Sequence, residues 1–206
     1  MSSSNAFENA LAYAARLHAG QMRKGSDTPY ISHLLAVTAI TLDHGATENE
    51  AIAALLHDAV EDQGGQETLE EIRRQFGNQV AEIIAACSDT DELPKPPWRE
   101  RKEAFVERLR TEPYSVRLVV AADKLHNVND ALRNYRILGD DLWRHFKGGR
   151  DGTLWYYQAV IGALTEAAAP EEQQLNAIIE EINHTLSLLE QAMAERSPWM
   201  PPADRV

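Results

Sequence analysis

The chain has 206 residues, a formal net charge of −12, and 44 % hydrophobic against 25 % charged residues. That balance suits one globular domain with a sizeable core, and the negative charge argues against general affinity for DNA, RNA or anionic membranes, which bind by having their phosphates neutralised. No stretch approaches the roughly 18–20 uninterrupted apolar residues of a membrane span, the start "MSSSNAFENALAYAARLHAG" lacks the order of a signal peptide, and a single cysteine, Cys87, allows no internal disulfide and fits a reducing cytoplasm.

Every segment with a clear period reads as helix. Residues 5–19 carry Phe7, Leu11, Ala14 and Ala15 at helical spacing. The Gly-, Ser- and Pro-bearing "AGQMRKGSDTPY" follows as a loop. A second helix is predicted from Tyr30 to near Asp43, stopped by His44–Gly45. Thr47 and Glu50 have capping-box spacing before a third, which "QGG" ends. Thr68 and Glu71 predict a cap for the next, ending at Phe76–Gly77. Residues 78–87 form a short apolar helix, and "DTDELPKPPW" is a Pro-rich acidic loop. Two longer helices are expected at 97–111 and 113–138, then a loop with at most one turn at 139–152, then helices at 153–168 and 171–195. No repeat, strand alternation or dividing linker is visible. The expected fold is all-α: a compact single-domain multi-helix bundle over residues 1–195, with 196–206 a flexible tail.

The stretch "AALLHDAVEDQ" concentrates His57, Asp58, Glu61 and Asp62 in six positions. At about 100° per residue, Ile52, Leu55, Leu56, Ala59 and Val60 share one side, and the four ionisable groups share the other. A solvated face is the plain reading. Such a face usually interleaves Lys or Arg four residues away, and here there is none. Three carboxylates and an imidazole repel one another unless a positive charge sits among them, so a divalent metal competes with solvation.

Two further positions bear on that choice. His33 lies in an apolar helix start, where a hydrogen-bonded core histidine is the commoner role. Asp123 follows the run Val116–Ala122, apolar but for Arg117, and a buried carboxylate is costly unless paired or metal-bound. Asn127 lies one turn on, on the same face. Cys87 reads as a small buried apolar residue, and Trp155, Tyr156 and Tyr157 as packing between helices. His18, His44, His126, His145 and His184 read as structural or surface residues.

His33, the His57–Asp58 pair and Asp123 follow the H…HD…D pattern of the HD superfamily of metal-dependent phosphohydrolases. "HAGQMRK", "PYISH", "AALLHDAVED", "FGNQVAEII" and "ADKLHN", in that order over roughly residues 13–130, resemble the hydrolase domain of the RelA/SpoT homologues. The chain is most similar to the small alarmone hydrolases of the metazoan SpoT homologue type. The resemblance implies an HD-domain bundle and a cytoplasmic enzyme of the stringent response. It would hydrolyse the 3′-diphosphate of ppGpp or pppGpp to GDP or GTP plus pyrophosphate, with manganese (Mn²⁺) as its one metal. By the same resemblance, His33, His57, Asp58 and Asp123 are the ligands, Glu61 and Asp62 the catalytic pair, and Arg23, Lys24, Lys124 and Asn127 substrate-binding residues. Two imidazoles and two carboxylates suit a borderline divalent ion with positions left for water and substrate.

Two departures stand out. "RKGSDTPYISH" carries one residue more between Lys24 and Pro29 than the family's "RKSGEPYIxH", and Lys124 stands where the family often has Arg. The altered loop keeps ppApp, the 2′-phosphate of NADPH and deoxynucleotides open as substrates. A non-catalytic nucleotide-binding sensor is the other alternative, and intact Glu61 and Asp62 argue against it. In each case the partner is a small-molecule nucleotide, and oligomeric state is not legible.

Overall fold

The structure, a computed structural model, describes residues 5–24, 26–90 and 94–196. Among them there is no β-strand, only a bridge between Met22 and Pro29. The helices are α1 (Ala6–Leu17), α2 (Ile31–Asp43), α3 (Glu48–Leu56), α4 (Ala59–Asp62), α5 (Gly65–Phe76), α6 (Asn78–Cys87), α7 (Trp98–Leu109), α8 (Tyr114–Leu138), α9 (Gly149–Ala167) and α10 (Gln173–Arg196). A 3₁₀ helix, Gly139–His145, joins α8 to α9. The chain is thus an all-α single domain. No described helix is long and apolar enough to cross a membrane.

The centre is formed by α3 and the first half of α8, whose residues are buried nearly all round. In α3, Ala51 to Leu56 are each at most 1 % exposed, and α1, α2, α6 and α8 enclose the helix. In α8, Val116 to Asp123 are all buried, with α2, α3, α6, α9 and α10 around them. The Thr47–Glu50 capping box forms as expected: Thr47 N–H donates to Glu50 Oε2 at 2.7 Å, and Glu50 N–H to Thr47 Oγ1 at 3.4 Å. Ser115 Oγ donates to Glu50 Oε1 at 2.6 Å, so the same cap ties α3 to the start of α8. Buried Arg117 makes a two-pronged pair with Glu172 at 2.7 and 2.8 Å and donates to the carbonyls of Glu112 and Ala167. One side chain thereby fixes where α8 starts, α9 ends and α10 begins.

The expectations need four corrections. The helix carrying His57, Asp58, Glu61 and Asp62 is not continuous: it breaks at His57–Asp58, and Asp58 adopts φ −94°, ψ −2°, the sparsely populated bridge region. His57, at the end of α3, is only 4 % exposed instead of on a solvent arc, because α3 is enclosed on every side. Thr68 is not a cap, because α5 begins at Gly65 and the Thr68 hydroxyl donates to Gln63 O at 2.6 Å. Gly64 makes that early start possible: its φ is +121°, and a Cβ there would lie 2.6 Å from Thr68 Oγ1. Residues 139–152 are not a loop: Leu142 and Trp143 are buried in the 3₁₀ helix, and α9 begins at Gly149. The apolar stripe of α1 is rotated too, since Ala10 and Ala14 are buried while Leu11 and Ala15 are exposed. Cys87 packs against the core half-buried. Of the proposed tail, Arg196 closes α10 and residues 197–206 lie outside the described residues.

Candidate metal centre and nucleotide cleft

Three elements bring the four H…HD…D residues together: α2 carries His33, the α3–α4 break carries His57 and Asp58, and α8 carries Asp123. Asp58 Oδ2 lies 3.1 Å from His57 Nε2 and 3.4 Å from His33 Nε2. Asp123 Oδ1 lies 3.2 Å from His33 Nε2 and 3.6 Å from His57 Nε2. Tyr30 OH donates to Asp58 Oδ2 at 2.6 Å. Asn127 Nδ2 and Lys124 Nζ donate to the two oxygens of Asp123, each at 2.6 Å.

The chemistry of this donor set fits a cation. His57 Nδ1 donates to Ala54 O at 2.7 Å, which leaves the lone pair on Nε2. That Nε2 is buried and has no hydrogen-bond partner. Potential ligand atoms of His33, His57 and Asp58 all lie within 4.8 Å of one another, the span a single first-row ion bridges with bonds of about 2.0–2.3 Å. A buried carboxylate, Asp123, and a half-buried one, Asp58, with nitrogen lone pairs between them need compensating positive charge. Burial pushes Asp58 up, but the His57 imidazole and contacts to His33 and His57 hold it well below the usual carboxylate range. Burial likewise opposes Asp123, and Lys124 with the two imidazoles holds it low. Burial disfavours charge on His57, and the Asp58 and Asp123 carboxylates outweigh it, so its proton is held well above the ordinary range.

The donor set opens onto a cavity of about 320 Å³. Asp58, Glu61, Asp62 and Asp123 line it, and Arg101, Lys102, Lys124 and Lys147 add positive charge. Glu61 also faces a smaller inner cavity of about 40 Å³ with His57, Asp58 and Asp123, whereas Asp62 is exposed and lines only the larger one. Gln21 Nε2 donates to Asp62 Oδ2 at 2.7 Å, and Lys95 Nζ lies 3.4 Å from Glu61 Oε1. Of the expected substrate-binding residues, Lys24, Lys124 and Asn127 line the cavity, with Lys24 exposed. Arg23 lines it too, but its guanidinium is engaged, donating to Asn127 Oδ1 at 2.9 Å and to Asp130 Oδ2 at 3.0 Å. It therefore pins the 18–30 loop to α8 and does not project freely.

Several lining residues carried no sequence signal of their own. Lys102 Nζ lies 2.7 Å from Asp89 Oδ2 and 4.8 Å from the centre of the Tyr156 ring, against which Lys124 Nζ also rests at 5.2 Å. Arg101 could have been suspected, since it precedes Phe105 and Leu109 at four-residue intervals and is buried with them. Tyr156 and Tyr157 pack between helices as expected and also line the cleft. His18 stacks on Tyr30 at 5.3 Å, His44 bonds Ile40 O, and His145 and His184 are exposed. His126 is half-buried, and its Nδ1 lies 2.8 Å from His33 Nδ1. Burial, then the neighbouring His33 and Arg23, pushes it down to about 4.

The comparisons with known proteins agree with this arrangement. The HD domain family model matches residues 10–154. The guanosine-3′,5′-bis(diphosphate) 3′-pyrophosphohydrolase MESH1 of Homo sapiens is 41 % identical over 124 residues, 59 % of this chain and 66 % of that protein. The protein of the same name from Drosophila melanogaster is 34 % identical over 127 residues, 60 % and 68 % of the two chains. The solved structure of a metazoan orthologue of SpoT that hydrolyses ppGpp is similar with a TM-score of 0.69 at 28 % identity, covering 88 % of this chain and 97 % of that one. The matched stretch spans about two thirds of the length of these curated relatives. With most of its length, residues 10–154, matched by the family model, the chain belongs to the HD domain family.

Proposed function

We propose that this protein is a metal-dependent phosphohydrolase that removes the 3′-diphosphate of ppGpp or pppGpp as pyrophosphate, leaving GDP or GTP. The observation that carries the reading is one cleft lined by Asp58 and Asp123, which contact the His33 and His57 imidazoles, and by Arg101, Lys102, Lys124 and Lys147. A substrate of several phosphates needs both: cations to hold the charge and an electrophilic centre where it reacts. His33, His57, Asp58 and Asp123 would hold one divalent ion, Mn²⁺ in this reading, which would polarise a phosphoryl oxygen and acidify a bound water.

The protein's own groups do the rest. Glu61, reaching both cavities, takes the proton of the attacking water. The water oxygen bonds to phosphorus, the bond from phosphorus to the ribose 3′ oxygen breaks, and that oxygen is protonated. Asp62, held by Gln21 at the mouth, is the group placed to pass that proton. Lys102 and Lys124 meet the diphosphate, Lys24 and Asn127 contact the nucleoside side, and Arg23 keeps the loop seated. We read residues 1–195 as the hydrolase domain. The one cysteine fits a reducing cytoplasm, and alarmone turnover would place the protein in the stringent response.

Incubation of purified protein and Mn²⁺ with ppGpp, ppApp, NADPH and deoxynucleotides, assaying pyrophosphate and phosphate separately, tests this. Pyrophosphate from ppGpp is expected. Orthophosphate from NADPH alone, or tight nucleotide binding without turnover, would replace the reading with a different phosphohydrolase or with a sensor.

A further inference from the structure

His126 touches the proposed ligand set from behind. Its Nδ1 lies 2.8 Å from Nδ1 of His33, and the two rings are 4.8 Å apart between centres. His33 is 1 % exposed, and its other nitrogen, Nε2, is the one that faces Asp58 and Asp123. We infer that His126 is a positioning residue for the metal centre, which sets the tautomer and orientation of His33 by accepting a hydrogen bond from its Nδ1–H.

The inference rests on the proposal that His33 is a metal ligand. An imidazole that gives its Nε2 lone pair to a cation carries its proton on Nδ1. That proton needs an acceptor, because an unpaired buried donor is costly. For His57 the acceptor is a backbone carbonyl, Ala54 O. For His33 the Nδ1 partner is the His126 imidazole, which must then carry its own proton on Nε2. The reverse direction would put the His33 proton on Nε2, between the two carboxylates and where the ion would bind. His126 sits one helical turn after Asp123 on α8, so a single turn supplies one ligand and the brace of another. Partners of this kind typically alter metal affinity by about 10–100-fold when removed.

The test compares Mn²⁺ affinity, read from the free-ion EPR signal, in wild type, His126→Phe and His126→Asn. Phenylalanine keeps the ring and deletes the acceptor. Asparagine can place its Oδ1 where Nδ1 stood. The expected result is a 10–100-fold loss for His126→Phe, with the metal-free variant still folded and melting cooperatively, and affinity within about threefold of wild type for His126→Asn. Wild-type affinity in His126→Phe would overturn the inference and leave the metal centre standing. Equal loss in both variants would show that ring shape, not the acceptor, is what matters, and would also overturn it. No Mn²⁺ bound by wild type would remove the metal reading itself, and this one with it.

Discussion

Asp89→Asn removes one buried charge and leaves two cations behind. Asp89 is 6 % exposed, its Oδ2 meets Lys102 Nζ at 2.7 Å and Arg101 Nη1, and its Oδ1 is buried without a hydrogen-bond partner. Arg101 is itself 7 % exposed and also donates to Pro96 O at 3.1 Å. Neutralising one partner of a buried pair costs about 3–5 kcal/mol. The Lys102 side chain keeps 16 % exposure and the face of Tyr156, which places the expected loss at the low end, about 3 kcal/mol. For a domain of this size that is about 6–12 °C in Tm. Urea and thermal denaturation of both proteins at pH 7 measure it. The pH dependence has a definite sign. Burial raises the Asp89 carboxyl, but Lys102 and Arg101 outweigh it and hold it below its ordinary range. A depressed carboxylate contributes stability above its unfolded value, about pH 4, and loses it as pH falls through the folded value. The gap between wild type and variant is therefore full at pH 6–7 and narrows below about pH 4. A gap under 1 kcal/mol at pH 7, or one unchanged at pH 3, would refute the reasoning.

Three further outcomes follow from the geometry. Glu61→Gln keeps Mn²⁺ affinity while turnover falls by about 10²–10⁴-fold; turnover at the wild-type rate would take Glu61 out of the chemistry. Thr47→Ala opens the capping box and costs about 1 kcal/mol in urea unfolding, and an unchanged midpoint would mean that water caps α3 equally well. Gly148→Ala places a Cβ 2.6 Å and 2.9 Å from the Trp98 indole, which packs edge-on against Trp155 and Tyr156. A cost of about 1–3 kcal/mol and a shifted tryptophan emission are expected, and an unperturbed spectrum would contradict that contact.

Helix identity was legible wherever local rules decide it. The Thr47–Glu50 box announces α3, and the apolar run before Asp123 announces a buried helix with a carboxylate to explain. What was not legible depends on tertiary contacts. An ideal 100° step cannot show that the chain breaks at Asp58, nor that neighbours enclose α3 on every side and bury His57 with it. Thr68 has the spacing of a cap, but the Gly64 conformation starts the helix earlier and gives its hydroxyl another acceptor. Leu142 and Trp143 are two apolar residues among charges and glycines, and only packing makes them a 3₁₀ helix. The family pattern H…HD…D picked out His33, His57, Asp58 and Asp123, which the fold brings together. Lys102 was lost in the charge-rich α7, and the partners of His126 and Arg23 lie about a hundred residues away in the chain.

Diffraction from crystals grown with Mn²⁺, recorded near the manganese absorption edge, addresses the centre of the mechanism. One anomalous peak is predicted, at about 2.0–2.3 Å from His33 Nε2, His57 Nε2 and carboxylate oxygens of Asp58 and Asp123, and absent in Asp58→Ala. Wild-type crystals with no peak there, or with the ion bound elsewhere, would contradict it.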